Sequence, residues 1–383
     1  MRRAAAACAV AVAALGLAVV PVARATAASG DGLRLADARP IPIEYFQGLT
    51  HDRAGARYFD GVTVGLYRTD RSLREVARVA NAIPPAVSAA FGFNHIGDLT
   101  WDAAEGGRLI LPLECFTPGA PNGGNTCGQG AFGVADPVTL GWRYLVPLDP
   151  TDIAKAMWAE ASPDGAFVWT SSGPDLLGYR AADVSAANAV AGVRIRPAVR
   201  ERAVPPSGIT GAAFLNGRLL LAGQSTGPLQ LWSVDVRTGA RVLEAELPVS
   251  GESEGLDVVD DGHGVVHWIV TPFDPRGRPP TYGTGHAELL SFVPAADSRL
   301  RLTVAPARLR AGRAATLRAR VTLRFGGRVH IVAGARVRAA GRTATTDARG
   351  VARLRVRRAR PGVVRVRATK QRLRAGTVPV AVG

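Results

Sequence analysis

The stretch Leu229-Gln230-Leu231-Trp232-Ser233-Val234-Asp235-Val236-Arg237-Thr238-Gly239-Ala240-Arg241-Val242 reads as a β-hairpin. Alternating residues flank a short polar segment with Thr238-Gly239, the composition of a tight turn. An apolar run that closes on an acidic turn recurs at Gly65-Leu66-Tyr67-Arg68-Thr69-Asp70 and at Arg143-Tyr144-Leu145-Val146-Pro147-Leu148-Asp149. It returns at Leu176-Leu177-Gly178-Tyr179 with Asp183 downstream, and the series ends on the apolar run Glu288-Leu289-Leu290-Ser291-Phe292-Val293. A second element, an apolar strand running into an Asp or Asn turn, precedes each: Gly48-Leu49-Thr50-His51-Asp52, Leu99-Thr100-Trp101-Asp102, Ala161-Ser162-Pro163-Asp164-Gly165, Phe214-Leu215-Asn216-Gly217 and residues 256–262.

An array of such units predicts an all-β fold built on a β-propeller. Five blades are counted. Residues 28–293 allow about 53 residues per blade for five and about 44 for six. The interval from Tyr67 to Tyr144 is wide enough to hold a sixth. Residues 33–43 precede the first blade and are expected to close the ring as the outer strand of the last. A β-sandwich with long loops is the competing architecture.

The rest of the chain agrees. Of 383 residues, 44 are Gly and 26 Pro while only 6 % are aromatic, which favours turn-rich strands over a helical bundle. Arg2 and Arg3 precede an uncharged apolar run, 4–22, and Ala25-Thr26-Ala27 offers a cleavage site, so 1–27 reads as a signal peptide cut near Ala25 or Ala27. The run is about the minimum spanning length, and no basic stop-transfer cluster follows. A secreted or envelope-associated protein is expected. Beyond the leader two cysteines remain, Cys115 and Cys127, expected to form one disulfide around a Gly/Pro/Asn-rich loop. Unpaired thiols are the other possibility. A zinc site lacks the ligands.

Charge divides the chain. Residues 294–383 hold 22 Arg and one Lys against Asp297 and Asp347, a net of +21. Residues 28–293 hold 21 basic and 29 acidic residues, and all six Trp lie in them. An acidic propeller domain, 28–293, is therefore followed by a basic domain, 294–383. The basic part shows short strands at 302–304, 315–321, 329–332, 335–339, 342–345, 351–356, 363–368 and 378–382, about the content of an immunoglobulin-like β-sandwich. Arg353, Arg355, Arg357, Arg365 and Arg367 alternate with Val, Leu and Ala, which predicts one exposed basic face. Arg outnumbers Lys 45 to 2 in the whole chain, which suggests a GC-rich genome choosing Arg codons, and some of the basic excess serves solubility. The field of the tail nonetheless suits anionic wall polymers or an envelope surface. Nucleic acid is not an expected partner, because the tail lacks a reading element and surface aromatics.

Ser162-Pro163-Asp164-Gly165 with Phe167-Val168-Trp169-Thr170-Ser171-Ser172, and Glu254-Gly255-Leu256, resemble the secreted propellers of the SMP-30/gluconolactonase, NHL-repeat and phytase-esterase-like superfamily. Gly334-Ala335-Arg336-Val337, Thr346-Asp347-Ala348-Arg349-Gly350 and the run from Pro361-Gly362 to Lys370 resemble bacterial Ig-like surface domains. The first resemblance implies a divalent ion in the central channel, with Glu254 among its ligands. This chain departs from that pattern: its Glu-Gly pair lies in a late blade, the early place holds Gln47-Gly48, and Ala159-Glu160 stands where the family favours Asn.

Asp98, Glu114, Glu160, Glu254 and Asp257 occupy inner-strand positions and are candidate oxygen ligands for a hard cation such as Ca2+. His95 is the candidate general base. The other reading of these acids is local pairing with Arg, or acceptance of backbone N–H groups across blade junctions. His263 and His267 lack further ligands for a metal. No nucleophile elbow, phosphate loop or dinucleotide fingerprint is present. The expected function is a monomeric, extracellular ligand-binding propeller retained by its basic Ig-like domain, its ligand a small molecule or a protein. The alternative is a divalent-metal-dependent hydrolase of the lactonase or phosphoesterase type.

Overall fold

The computed structural model describes residues 32–61, 64–120, 124–202, 204, 208–223, 228–247, 251–259, 265–272, 286–294, 299–325, 328–370 and 375–383. The signal-peptide reading of 1–27 and His263 lie outside them. Among the described residues, no helix is long and apolar enough to cross a membrane.

Five antiparallel sheets form the blades of a propeller, the first four running from the axis outward in chain order. Blade 1 comprises Leu49–His51, Arg57–Asp60, Leu66–Thr69 and Glu75–Val79. Blade 2 has an interrupted inner strand, His95–Ile96 and Thr100–Asp102, followed by Arg108–Glu114, Ala131–Ala135 and Trp142–Pro147. Blade 3 contains Glu160–Ala161, Phe167–Ser172, Asp175–Arg180 and Val199–Glu201, and blade 4 Ile209–Leu215, Arg218–Gly223, Leu229–Val234 and Arg241–Leu247. Blade 5 takes Gly251–Val259, Val265–Pro272 and His286–Pro294 from late in the chain, and its outer strand is the early Leu33–Pro42, paired from Leu33 with Pro294 to Pro42 with His286. Ring closure is thus as expected, and the described sheets make five blades. The interval considered for a sixth belongs to blades 1 and 2 and holds the Pro85–Phe91 helix and the disulfide loop.

The acidic turns have a local cause. Asp70, Asp149 and Asp235 each accept the backbone N–H two residues on, from Ser72, Thr151 and Arg237. Such Asx turns reverse the chain without a partner from elsewhere. In the Asp235 turn Gly239 has φ 68°, the left-handed region where glycine carries no Cβ penalty. Between blades, apolar faces interlock: Trp158, Trp169 and Leu176 of blade 3 pack with Ile209, Leu219 and Leu221 of blade 4.

From Leu300 onward the chain forms a two-sheet sandwich. One sheet contains Leu300–Ala305, Ala314–Phe325, Arg328–Ile331 and Val351–Arg357. The other contains Arg308–Leu309, Gly376–Val382, Gly362–Thr369, Arg336–Ala339 and Arg342–Thr345. Leu317, Val321, Val337, Leu354 and Val366 fill the space between them, and the cluster continues onto Ala36, Val265 and Val293 of blade 5. The arginines are exposed, but on two faces instead of one. Arg353, Arg355 and Arg357 lie on one sheet and Arg365 and Arg367 on the other, because a sandwich turns the polar side of each sheet outward.

Candidate functional site

The five inner strands converge on Asp98. Its Oδ1 accepts the Leu49 N–H of blade 1 at 3.0 Å, and its Oδ2 accepts Ala212 N–H of blade 4 and Leu256 N–H of blade 5, both at 3.1 Å. Its backbone joins blade 3 through Asp98 N–H to the Met157 carbonyl at 3.0 Å and Ala159 N–H to the Asp98 carbonyl at 2.8 Å. One buried residue of blade 2 therefore bonds to every other blade. Such close convergence needs glycine at the contacts. A Cβ on Gly255 would meet Leu49 N at 2.7 Å, and one on Gly97 would run into the Met157 carbonyl.

Asp98 divides the channel, and the sequence candidates fall on both sides of it. On one side His95 is buried, with Nε2 2.8 Å from Gln47 Oε1 and 3.4 Å from Glu114 Oε1. Glu114 also lies 3.7 Å from Lys155 Nζ. Burial raises the pKa of Glu114, and raises those of Asp60 and Glu254 strongly. Carboxylates at Glu252, Glu114, Asp98 and Asp60 push Glu254 further in the same direction.

On the other side lie Glu160 and Asp257, with a residue the sequence reading passed over, His51. His51 Nδ1 is 2.9 Å and 3.0 Å from the two carboxylate oxygens of Asp257. The Asp257 charge raises the His51 pKa against the desolvation of burial. Burial raises Asp257, but the His51 charge and hydrogen bond outweigh it and leave that carboxyl below its usual value. Glu160 accepts from the Thr100 hydroxyl at 2.9 Å and from Phe214 N–H at 3.1 Å, and burial lifts its pKa to about 8. The five sequence-predicted acids therefore do not meet at one point. Two carboxyls border an open mouth, one is spent on three amides, and two lie beyond it.

The mouth is a cavity of about 520 Å³ lined by His51, Thr100, Trp101, Glu160, Phe214 and Asp257 among others. A histidine oriented by a carboxylate stands there beside a carboxyl that keeps its proton at neutral pH. Together they can donate, accept and move a proton, while the two aromatic residues offer flat apolar surface. His51 was detectable in principle: it ends the inner strand of blade 1 in the first Asp-turn element, at the same end of its strand as Asp257 in blade 5. Among the described residues, no group of three or more His, Cys, Asp or Glu could hold a metal ion. Cys115 and Cys127 are bonded, with Cα atoms 5.0 Å apart, and close the loop beside blade 2.

Glu160 sets a pH dependence. Its native pKa lies above the ordinary value of 4.5, so the folded protein holds a proton that the unfolded chain releases. This group's contribution to stability is therefore constant below about pH 4.5, falls as pH rises toward 8, and is constant above. Glu160→Gln is expected to remove that fall, so that the variant's melting temperature gains on the parent's between pH 5 and pH 8. Parallel melting curves across that range would refute it.

No protein-family model and no curated protein matches the chain. Solved structures similar to it include glutaminyl cyclase of Myxococcus xanthus, 11 % identical over 68 % of this chain and 97 % of that one, with a TM-score of 0.43. Another is the PQQ-bound aldose sugar dehydrogenase of Streptomyces coelicolor, 11 % identical over 70 % of this chain and 100 % of that one, with a TM-score of 0.39. The Dos1 propeller is 12 % identical over 65 % of this chain and 67 % of that one, with a TM-score of 0.32. At this identity and overlap none of them lends its activity to this chain. The sheet order itself defines the class, a β-propeller followed by a β-sandwich.

Proposed function

We propose that the protein is an extracytoplasmic ligand-binding propeller held to an anionic envelope polymer by its basic C-terminal sandwich, which we read as immunoglobulin-like. One observation supports this above the others. Arg318 stands directly opposite Arg353 in one sheet, and Arg338 opposite Arg367 in the other, all four exposed. Like charges on facing strands destabilise a sheet, so folding alone gives no reason to keep them. Among the described residues, the one ion pair of the sandwich is Lys370 with Asp37, 3.7 Å apart, and it reaches across to the propeller. A polyanion laid over these faces would relieve the repulsion. The ligand of the propeller would occupy the mouth around His51, Glu160 and Trp101, whose mix of hydroxyl, carboxyl and aromatic groups suits a polar small molecule.

The chain from residue 28 onward is expected to sediment with cell-wall fragments at low salt. It should be released at about 1 M salt, where screening shortens to about 3 Å. Replacing Arg338, Arg353, Arg365 and Arg367 by Gln together should move release to lower salt. Binding that persists unchanged at high salt, or in the fourfold variant, would overturn the anchor.

The His51–Asp257 pair beside protonated Glu160 favours a second reading, hydrolysis of a lactone or phosphoester in the same mouth. There His51 would act as the general base and Glu160 as the proton donor. The calcium-dependent form of this reading has no ligand group among the described residues to build on.

A further inference from the structure

A second cavity, of about 610 Å³, lies where blades 1 and 5 meet the sandwich. Arg39, Arg53, Arg57 and Arg71 line it together with Lys370, and among the described residues Asp37 and Asp52 are the acids on its wall. Three of the cations are accounted for. Lys370 pairs with Asp37, Arg71 donates to the Ala54 carbonyl at 2.7 Å, and Arg53 lies over the Trp101 ring at 5.6 Å. The Asp52 carboxylate is taken up by Ala56 N–H and the Tyr58 hydroxyl, both at 2.9 Å.

Arg39 and Arg57 have no carboxylate within ion-pair distance among the described residues. The Arg57 Nη2 donates a long hydrogen bond, 3.4 Å, to His267 Nε2, and its Nη1 is buried without a partner. His267 brings no negative charge. It is buried, its Nδ1 sits 3.0 Å from Ser291 Oγ, and burial together with Arg57 holds its pKa down near 3, so it is neutral. Asp257, whose charge acts on Arg57, is engaged by His51, and Asp37, whose charge acts on Arg39, is paired with Lys370. Burial lowers the pKa of both guanidinium groups, and each is close enough to act on His267 electrostatically. Two partly desolvated guanidiniums thus line one cavity, and that of Arg57 carries an N–H group without a partner.

We propose that this cavity binds the phosphoryl group of a small organic phosphate, held by Arg57 and Arg39. A guanidinium presents paired N–H donors that match phosphate oxygens, and a dianion balances two such groups where a carboxylate balances one. A free phosphate would leave most of the cavity empty. Leu323, Ile331 and Val332 of the sandwich supply an apolar wall for the remainder of an ester. The site stands apart from the anchor, whose arginines lie on the outer faces of the sandwich.

Calorimetric titration of the full chain with inorganic phosphate and with glycerol phosphate, at constant ionic strength, tests the proposal. One saturable site is expected, with the ester binding more tightly; equal affinities would assign the site to free phosphate. Arg57→Gln and Arg39→Gln should each weaken binding by about tenfold or more. The fourfold outer-face variant should bind as the parent does. Equal affinity in parent and Arg57→Gln, with both folded by melting curve, would overturn the proposal. So would binding lost in the outer-face variant and kept in the cavity variants, or no saturable binding to the folded parent. Should Arg57→Gln fail to fold, Arg39→Gln carries the same comparison.

Discussion

Replacing Asp98 with alanine is expected to cost the protein more stability than any other substitution at the channel. The change leaves the N–H groups of Leu49, Ala212 and Leu256 without their acceptor at the centre of the ring. Each orphaned buried N–H costs about 1–3 kcal/mol, so a loss of at least about 3 kcal/mol is expected, enough to consume much of a typical domain's margin. Asp98→Asn is expected to fall between the two. Its amide oxygen can still serve two of the donors, while its NH2 group meets the third donor head on. Denaturant titration of the three proteins checks the order. An alanine variant within about 1 kcal/mol of the parent would refute the role. The same geometry commits Asp98 to holding the ring together, since three backbone amides take up three of the acceptor positions of its carboxylate.

The second large effect is expected at Arg108, which is 1 % exposed. Its Nε is 2.8 Å and its Nη2 2.7 Å from Asp102 Oδ2. Its remaining donors reach the Tyr144 hydroxyl at 3.1 Å, the Ala181 carbonyl at 3.1 Å and the Val184 carbonyl, so it ties blade 2 to the outer edge of blade 3. Arg108→Met keeps the bulk but strands a buried carboxylate and two carbonyls. Breaking one side of a buried pair costs about 3–5 kcal/mol, whereas replacing both sides with apolar groups is often neutral. The double variant Arg108→Met with Asp102→Leu is therefore expected to recover part of the loss of the single one. If the double variant is less stable than the sum of the two singles, the desolvation argument fails and the carbonyl contacts dominate.

The blades were legible because their causes are local. The alternation in Leu229–Val234, the Asx turn at Asp235 and the left-handed Gly239 act within a few residues, so the chain shows them directly. The strand at 33–43 could be assigned to the last blade because a ring built in chain order leaves one edge open, and an unpaired early strand can fill it. The alternating arginines showed which residues face water. They did not show that the faces are two, since that depends on which sheet each strand joins.

The site was not legible in the same way. An inner-strand pattern places acids along the channel, but one step of about 3.3 Å along a strand decides on which side of Asp98 a side chain falls. Three such steps, about 10 Å, separate Glu254, among buried acids, from Asp257 at the open mouth. His51 meets Asp257 across 206 positions and Arg57 meets His267 across 210, contacts that exist only because the ring closes blade 5 against blade 1. The sequence determined the strands, their turns and the outward basic faces, because hydrogen bonding and side-chain alternation are set by neighbours in the chain. The pKa shifts of His51, Glu160 and His267, and the two guanidiniums without an ion pair among the described residues, were decided by tertiary structure. Burial and facing charges set them, and both depend on residues that the chain order keeps far apart.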